Sequence, residues 1–262
     1  MKRALLAGIA LLALGSLRAG EWEDSVKQAA RLHQKGALPQ AEALLLKTLY
    51  TAEAFGEADP RLAYTLDYLG TLNMQMNEPD KASAMFERAV RAFKASRGED
   101  SPEASESAGR LAESYEAQQQ YAKAEPIYRA LVAAKRGDTL RQSADINSLA
   151  VSLDAQGKPK EAMELYARAL DLREKSLGPN AAELPEILNN IARVYYLSGD
   201  YAKAEPIYAR AIAIDEAQLK PGAPELADDY RRLAALYKKT GREALAAELE
   251  AKAATPPQKK KK

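Results

Sequence analysis

Tyr121-Ala-Lys-Ala-Glu-Pro-Ile-Tyr128 recurs residue for residue as Tyr201-Ala-Lys-Ala-Glu-Pro-Ile-Tyr208, an offset of 80 positions. A related stretch, Lys160-Glu-Ala-Met-Glu-Leu-Tyr166, lies between the two copies, so 80 is two periods of roughly 40. A fixed period of this length constrains the fold more than any single element does. It marks an array in which each unit leaves an apolar face bare until its neighbour stacks on it.

Registering the chain on the alanine inside the repeated element gives Ala41, Ala82, Ala124, Ala162, Ala204 and Ala246, spaced by 41, 42, 38, 42 and 42 residues. Five residues before each stands a turn-former or a short polar residue: Gly36, Asn77, Gln119, Gly157, Gly199 and Gly241. Twelve residues before each is a small residue: Ala29, Gly70, Ala112, Ala150, Ala192 and Ala234. Four residues after the first five come Leu45, Phe86, Tyr128, Tyr166 and Tyr208. Residues four and seven apart share a helix face, and the Gly position is where one helix should stop and the next begin. Each unit is therefore expected to be an antiparallel pair, helix A then helix B, brought close by small residues facing each other.

This pattern resembles the tetratricopeptide repeat, on residues such as Leu149-Ala150, Gly157, Ala162, Tyr166 and Ala169. The usual repeat is 34 residues long. The longer period here, with Leu188-Asn-Asn-Ile-Ala192 and the repeated octapeptide, is similar to the repeats of kinesin light chains. The extra residues fall in connections such as Phe55-Gly-Glu-Ala-Asp-Pro60, Arg97-Gly-Glu-Asp-Ser-Pro102 and Leu177-Gly-Pro-Asn180. Gly should end helix B there, and Pro then favours an extended turn before the next helix. The resemblance covers about residues 22–254. It implies an all-α fold, a right-handed superhelical solenoid of about six antiparallel helix pairs over residues 21–254. The first unit, with Gln28 and His33, reads as a worn or capping repeat. In the last unit Glu250 replaces the aromatic residue, giving a polar outer face. The short connection Lys135-Arg-Gly-Asp-Thr139 suggests an altered angle between the third and fourth units. Asp200 is the expected N-cap of the helix containing Pro206, where a mild bend or a tightened first turn is expected.

Both termini depart from the repeat. Residues 1–20 read as a signal peptide: Lys2 and Arg3 precede an apolar run from Ala4 to Leu17, and small residues at Ala19 and Gly20 fit cleavage. The expected localisation is exported, periplasmic or secreted; an uncleaved segment would instead hold the array at a membrane and suit a structural, self-associating role. With no cysteine there is no lipoprotein acylation site. Residues 255–262, ending in Lys259 to Lys262, form a Lys-rich tail expected to be disordered. The chain's net charge of +1 becomes −2 without Lys2, Arg3 and Arg18, and −6 without the four terminal lysines as well. A mildly acidic body is a poor partner for nucleic acid, whose binding rests on phosphate neutralisation.

Little here suggests catalysis. There is no cysteine, His33 is the single histidine, and no Gly-rich phosphate loop occurs. The chain is expected to be no enzyme and to carry no cofactor or metal. The resemblance instead implies a groove lined by the A helices and occupied by a protein or peptide partner. Carried over by register, the partner-binding candidates are Asn147, Asn189, Arg193, Tyr196, Arg231 and Lys238. Glu186, Val151 and Asp154 stand beside them, and Asp67, Thr71, Met74, Glu106, Glu113 and Glu116 occupy the earlier units. Asparagine can pair with a peptide backbone as donor and acceptor, and arginine offers a fork to a carboxylate. Asn189, Arg193, Arg231 and Lys238 form the most coherent group. They do not reproduce the family's full carboxylate-binding pattern, so a C-terminal carboxylate ligand is only one option.

Overall fold

In a computed structural model, residues 20–134 and 137–256 are described. The expectations for residues 1–19, for Lys135 and Arg136 in the short connection, and for residues 257–262 of the tail therefore lie outside the described residues. Among those described there are twelve helices and no strand. Among the described residues no helix is long and apolar enough to cross a membrane. The chain divides into two compact units, Met1–Ile127 and Tyr128–Lys262.

Unit 1 holds α1 (residues 20–34), α2 (Leu38–Glu53), α3 (Pro60–Gln75), α4 (Pro79–Arg97), α5 (Pro102–Ala117) and the start of α6 (Tyr121–Ala133). Unit 2 holds the rest of α6, then α7 (Thr139–Ala155), α8 (Pro159–Leu177), α9 (Leu184–Leu197), α10 (Tyr201–Gln218), α11 (Pro224–Lys239) and α12 (Glu243–Ala253). Within each unit, consecutive helices from α2 to α5 and from α7 to α12 pack side by side. This is the expected all-α solenoid of antiparallel helix pairs.

The register explains the packing. All six anchoring alanines are fully buried, and so are Ala29, Ala112, Ala150 and Ala192 on the facing A helices. Phe86, Tyr128, Tyr166 and Tyr208 are at most 3% exposed. Small residues let two helices approach, and the large residue one turn later closes the space beside them. The six positions between helix A and helix B all adopt the left-handed conformation: Gly36, Gly157, Gly199 and Gly241, with Asn77 and Gln119 as the non-glycine cases. A side chain at positive φ is strained, so Gln119→Gly should stabilise the protein by about 0.5–1 kcal/mol. A chemical-denaturation midpoint that does not rise would contradict this.

Helix starts are fixed locally. Pro60, Pro102 and Pro224 occupy first helical positions, where the missing donor costs nothing. Asp59, Ser101 and Asp138 cap their helices by accepting from backbone N–H groups. Asp200 stands at the expected N-cap position, although its side chain makes no cap bond. Its carboxylate instead pairs with Lys203 Nζ at 2.7 Å, a charge-assisted contact that competes with the cap. At the beginning of the array, α1 is tied in by Trp22, whose Nε1 donates to Thr65 Oγ1 at 2.8 Å. The His33 ring bridges Tyr68 Oη at 3.1 Å and Gln75 Oε1 at 2.7 Å. At the other end Glu250 is exposed and paired with Lys238, as suits a terminal repeat.

Candidate functional site

All six partner-binding candidates lie in unit 2, on its A helices α7, α9 and α11. The structure gives each a partner within the chain. Asn147 is 3% exposed; its Nδ2 donates to Glu186 Oε1 at 2.8 Å, and its Oδ1 accepts from Asn190 Nδ2 at 3.3 Å. It is thus a buried bridge between α7 and α9, closed to any direct partner. Arg193 reaches back to Asp154, Arg231 pairs with Asp228, and Lys238 pairs with Glu250. Tyr196 packs against the Tyr201 ring, with centroids 5.5 Å apart. Asn189 Nδ2 donates to Asp229 Oδ1 at 2.7 Å. Each cation of the basic group read from the sequence thus has a carboxylate partner within the chain.

The two helices α9 and α11, with the end of α10, enclose an open pocket of about 660 Å³. Its walls carry Ala182, Pro185, Glu186, Asn189, Asn190 and Arg193 from the α9 side, and Glu225, Asp228, Asp229 and Arg232 from the α11 side. Asp215, Gln218 and Leu219 close the α10 side. Five carboxylates thus face two guanidiniums. Arg193 is engaged by Asp154 outside the pocket, and Arg232 by Asp229 inside it.

The electrostatics concentrate at Asp215 and Asp229, which are 9% and 2% exposed. Burial pushes the Asp215 carboxyl up to about 7, helped by its hydrogen bond to Asp229 and by the charges of Asp229 and Glu225. Two ionised carboxylates have no donor between them, so that bond exists only while a proton is held there. Nearby, burial raises the hydroxyl of Tyr208, the second tyrosine of the repeated octapeptide, to about 12. Sequence reading missed Asp215, Asp229, Asn190 and Arg232. A signal was present: Asp215 follows Arg173 by one 42-residue period, so an acid stands where the preceding repeat has a base.

The groove positions of unit 1 are internally engaged as well. Asp67 accepts from Arg110 at 2.8 and 2.9 Å, and Thr71 Oγ1 donates to the Asp67 carbonyl. Among the described residues no group of three or more His, Asp or Glu could hold a metal ion.

Comparisons with known proteins agree with this geometry. The tetratricopeptide repeat model matches residues 68–137, 140–217 and 183–255. Among the curated proteins none matches the chain's sequence. Solved structures similar to it include BtubC (BKLC) from P. vanneervenii, with a TM-score of 0.65 at 20% identity over 94% of this chain and 95% of that one. A Podosopora anserina protein described as a kinesin light chain with nearly identical TPR-like repeats has a TM-score of 0.61 at 22% identity, over 74% of this chain and 94% of that one. The apo form of RapI has a TM-score of 0.68 at 12% identity, over 89% of this chain and 96% of that one. Identities this low speak to the fold alone. The model match, however, spans most of the chain and follows the same register that buries the six alanines and turns the backbone left-handed between paired helices. The chain belongs to the tetratricopeptide repeat family, with repeats spaced by 38 to 42 residues.

Proposed function

We propose that this protein is an exported scaffold whose unit 2 holds a segment of a protein or peptide partner against its A helices. Repeats of this family are suited to protein–protein interaction, and an array of helix pairs offers surface rather than chemistry. The observation that carries the reading is the open pocket between α9 and α11, walled by the amides of Asn189 and Asn190, the carboxylates and the apolar edge at Pro185 and Leu219. Export rests on the apolar run of residues 4–17 behind Lys2 and Arg3.

The test fills the pocket without changing its charge. Ala182 is exposed and lines the pocket, so Ala182→Trp should obstruct the groove and leave the fold intact. Immobilised wild-type chain should capture a partner from the exported fraction of its native host, and Ala182→Trp should lose at least 90% of that capture, about 1.4 kcal/mol or more. Undiminished capture by the variant would sink the groove assignment.

A further inference from the structure

Repeats invite comparison of equivalent interfaces. Between α8 and α9 the interface position is Arg173, 8% exposed, which donates to the Glu183 carbonyl at 2.7 Å and pairs with Glu186 at 3.5 Å. One period later, between α10 and α11, the same position is Asp215, and it faces Asp229 rather than a base. The first interface joins opposite charges. The second joins like charges in a buried setting, where an unpaired carboxylate is costly.

Hydrogen bonding at this corner points the same way. Asp229 Oδ1 already accepts from Asn189 and Arg232. Asp229 Oδ2 and Asn189 Oδ1 are shielded from solvent, and with Asp215 ionised neither receives a hydrogen bond. No cation among the described residues pairs with Asp215. Two acceptor oxygens without a donor, on α9 and α11, thus border one pocket together with the Asp215 carboxyl on α10, and the Asp215 and Asp229 side chains are more than nine-tenths buried. Buried polar groups are normally satisfied, so a ligand that brings donors and positive charge answers both deficits.

We propose that the corner formed by Asn189, Asp215 and Asp229 receives the ammonium group of a lysine side chain on a partner polypeptide. This rests on reading the pocket as a polypeptide groove, and it specifies what enters. An ammonium is compact and carries three N–H donors, one for each acceptor group; the guanidinium of arginine is a planar fork suited to one carboxylate edge. The ligand takes the place of the proton held by Asp215: Asp215 releases that proton to solvent as the lysine ammonium, itself unchanged, binds the resulting carboxylate. The charged groups that share the pocket with Asp215 are Glu186 and Arg193 from α9 and Glu225, Asp228, Asp229 and Arg232 from α11, of which Asp229 and Glu225 act on it directly. Since one proton leaves on binding, affinity should rise about tenfold between pH 6 and pH 8.

The experiment titrates the full chain into a capped, fluorescein-labelled peptide of alternating alanine and lysine, with an alanine–glutamine peptide as control. Wild type should prefer the lysine peptide by at least tenfold and show the pH dependence. Asp215→Asn should abolish both, and Asn189→Ala, which removes an acceptor but no charge, should weaken binding severalfold. Asp228→Asn removes an exposed acid from the same pocket and should change affinity less than twofold. Equal losses in Asp215→Asn and Asp228→Asn, or a pH-independent affinity, would reduce the effect to general attraction and overturn the proposal. A chain ending at Pro256 should bind as wild type does. A tenfold gain would instead give the pocket to the chain's own Lys259 to Lys262, and the partner assignment would fall. If Ala182→Trp blocks partner capture while Asp215→Asn leaves it intact, the groove reading stands and the lysine assignment fails; the groove reading fails when Ala182→Trp has no effect.

Discussion

Phe86→Ala should destabilise the protein by about 3–5 kcal/mol, the usual cost of emptying a buried aromatic site, and lower the unfolding midpoint by on the order of 10 °C. Phe86 is 1% exposed and lies over Gly70, the small residue of the facing A helix. A Cβ built on Gly70 would stand 2.6–2.8 Å from three carbons of the Phe86 ring. That closeness gives a sharper test than cavity formation alone. Alanine in place of a mid-helix glycine normally gains about 0.5–1 kcal/mol. Here Gly70→Ala should instead lose about 1–3 kcal/mol, because the ring is held by a packed core and cannot move aside. In a Phe86→Leu background the same substitution should become neutral or stabilising. Paired denaturation curves for the four proteins measure this reversal. Additive effects would refute the proposed contact.

Asp215→Asn should make the protein more stable at and above neutral pH, by on the order of 2 kcal/mol, and should flatten its pH dependence. The carboxyl of Asp215 titrates near 7 in the folded chain, above its ordinary value of 3.8. The folded state thus holds this proton more tightly than the unfolded state does. The resulting stabilisation is fully present below the ordinary carboxylate range and is lost as pH rises through about 7. Asparagine keeps the shape and a donor toward Asp229, and it has no charge to bury. Thermal melts of wild type and variant at pH 5 and pH 8 should diverge, with the variant ahead at pH 8. A difference that is the same at both pH values would show that the acid pair is not buried strain. A site that loosens its own fold, and whose neutral variant is sturdier, is what a binding role would leave behind.

Much of the fold was legible because it depends on residue size and spacing. The alanines at positions 41, 82, 124, 162, 204 and 246 define helix contacts that recur whatever surrounds them, and all six are buried. The left-handed position five residues earlier was equally legible, even where Asn77 and Gln119 stand in for glycine. The N-cap position of Asp200 was legible too, but not the direction of its carboxylate, since capping and an ion pair with Lys203 are both local and the sequence does not say which is stronger.

The site was far less legible. Asn147, Asn189 and Arg193 were chosen as groups free to meet a partner, yet each bonds to a residue about one period away: Glu186, Asp229 and Asp154. Charge signs repeat loosely where sizes repeat strictly, so the same register position can be Arg173 in one interface and Asp215 in the next.

The sequence by itself determined the repeat, its period, the helix pairs and the small residues that let them touch, since these follow from volume and backbone geometry along one chain. Only the tertiary structure decided which polar side chains were already spent and which were left facing a pocket. That depends on how neighbouring repeats stack, and stacking brings together groups some 40 residues apart whose pairing no local pattern encodes.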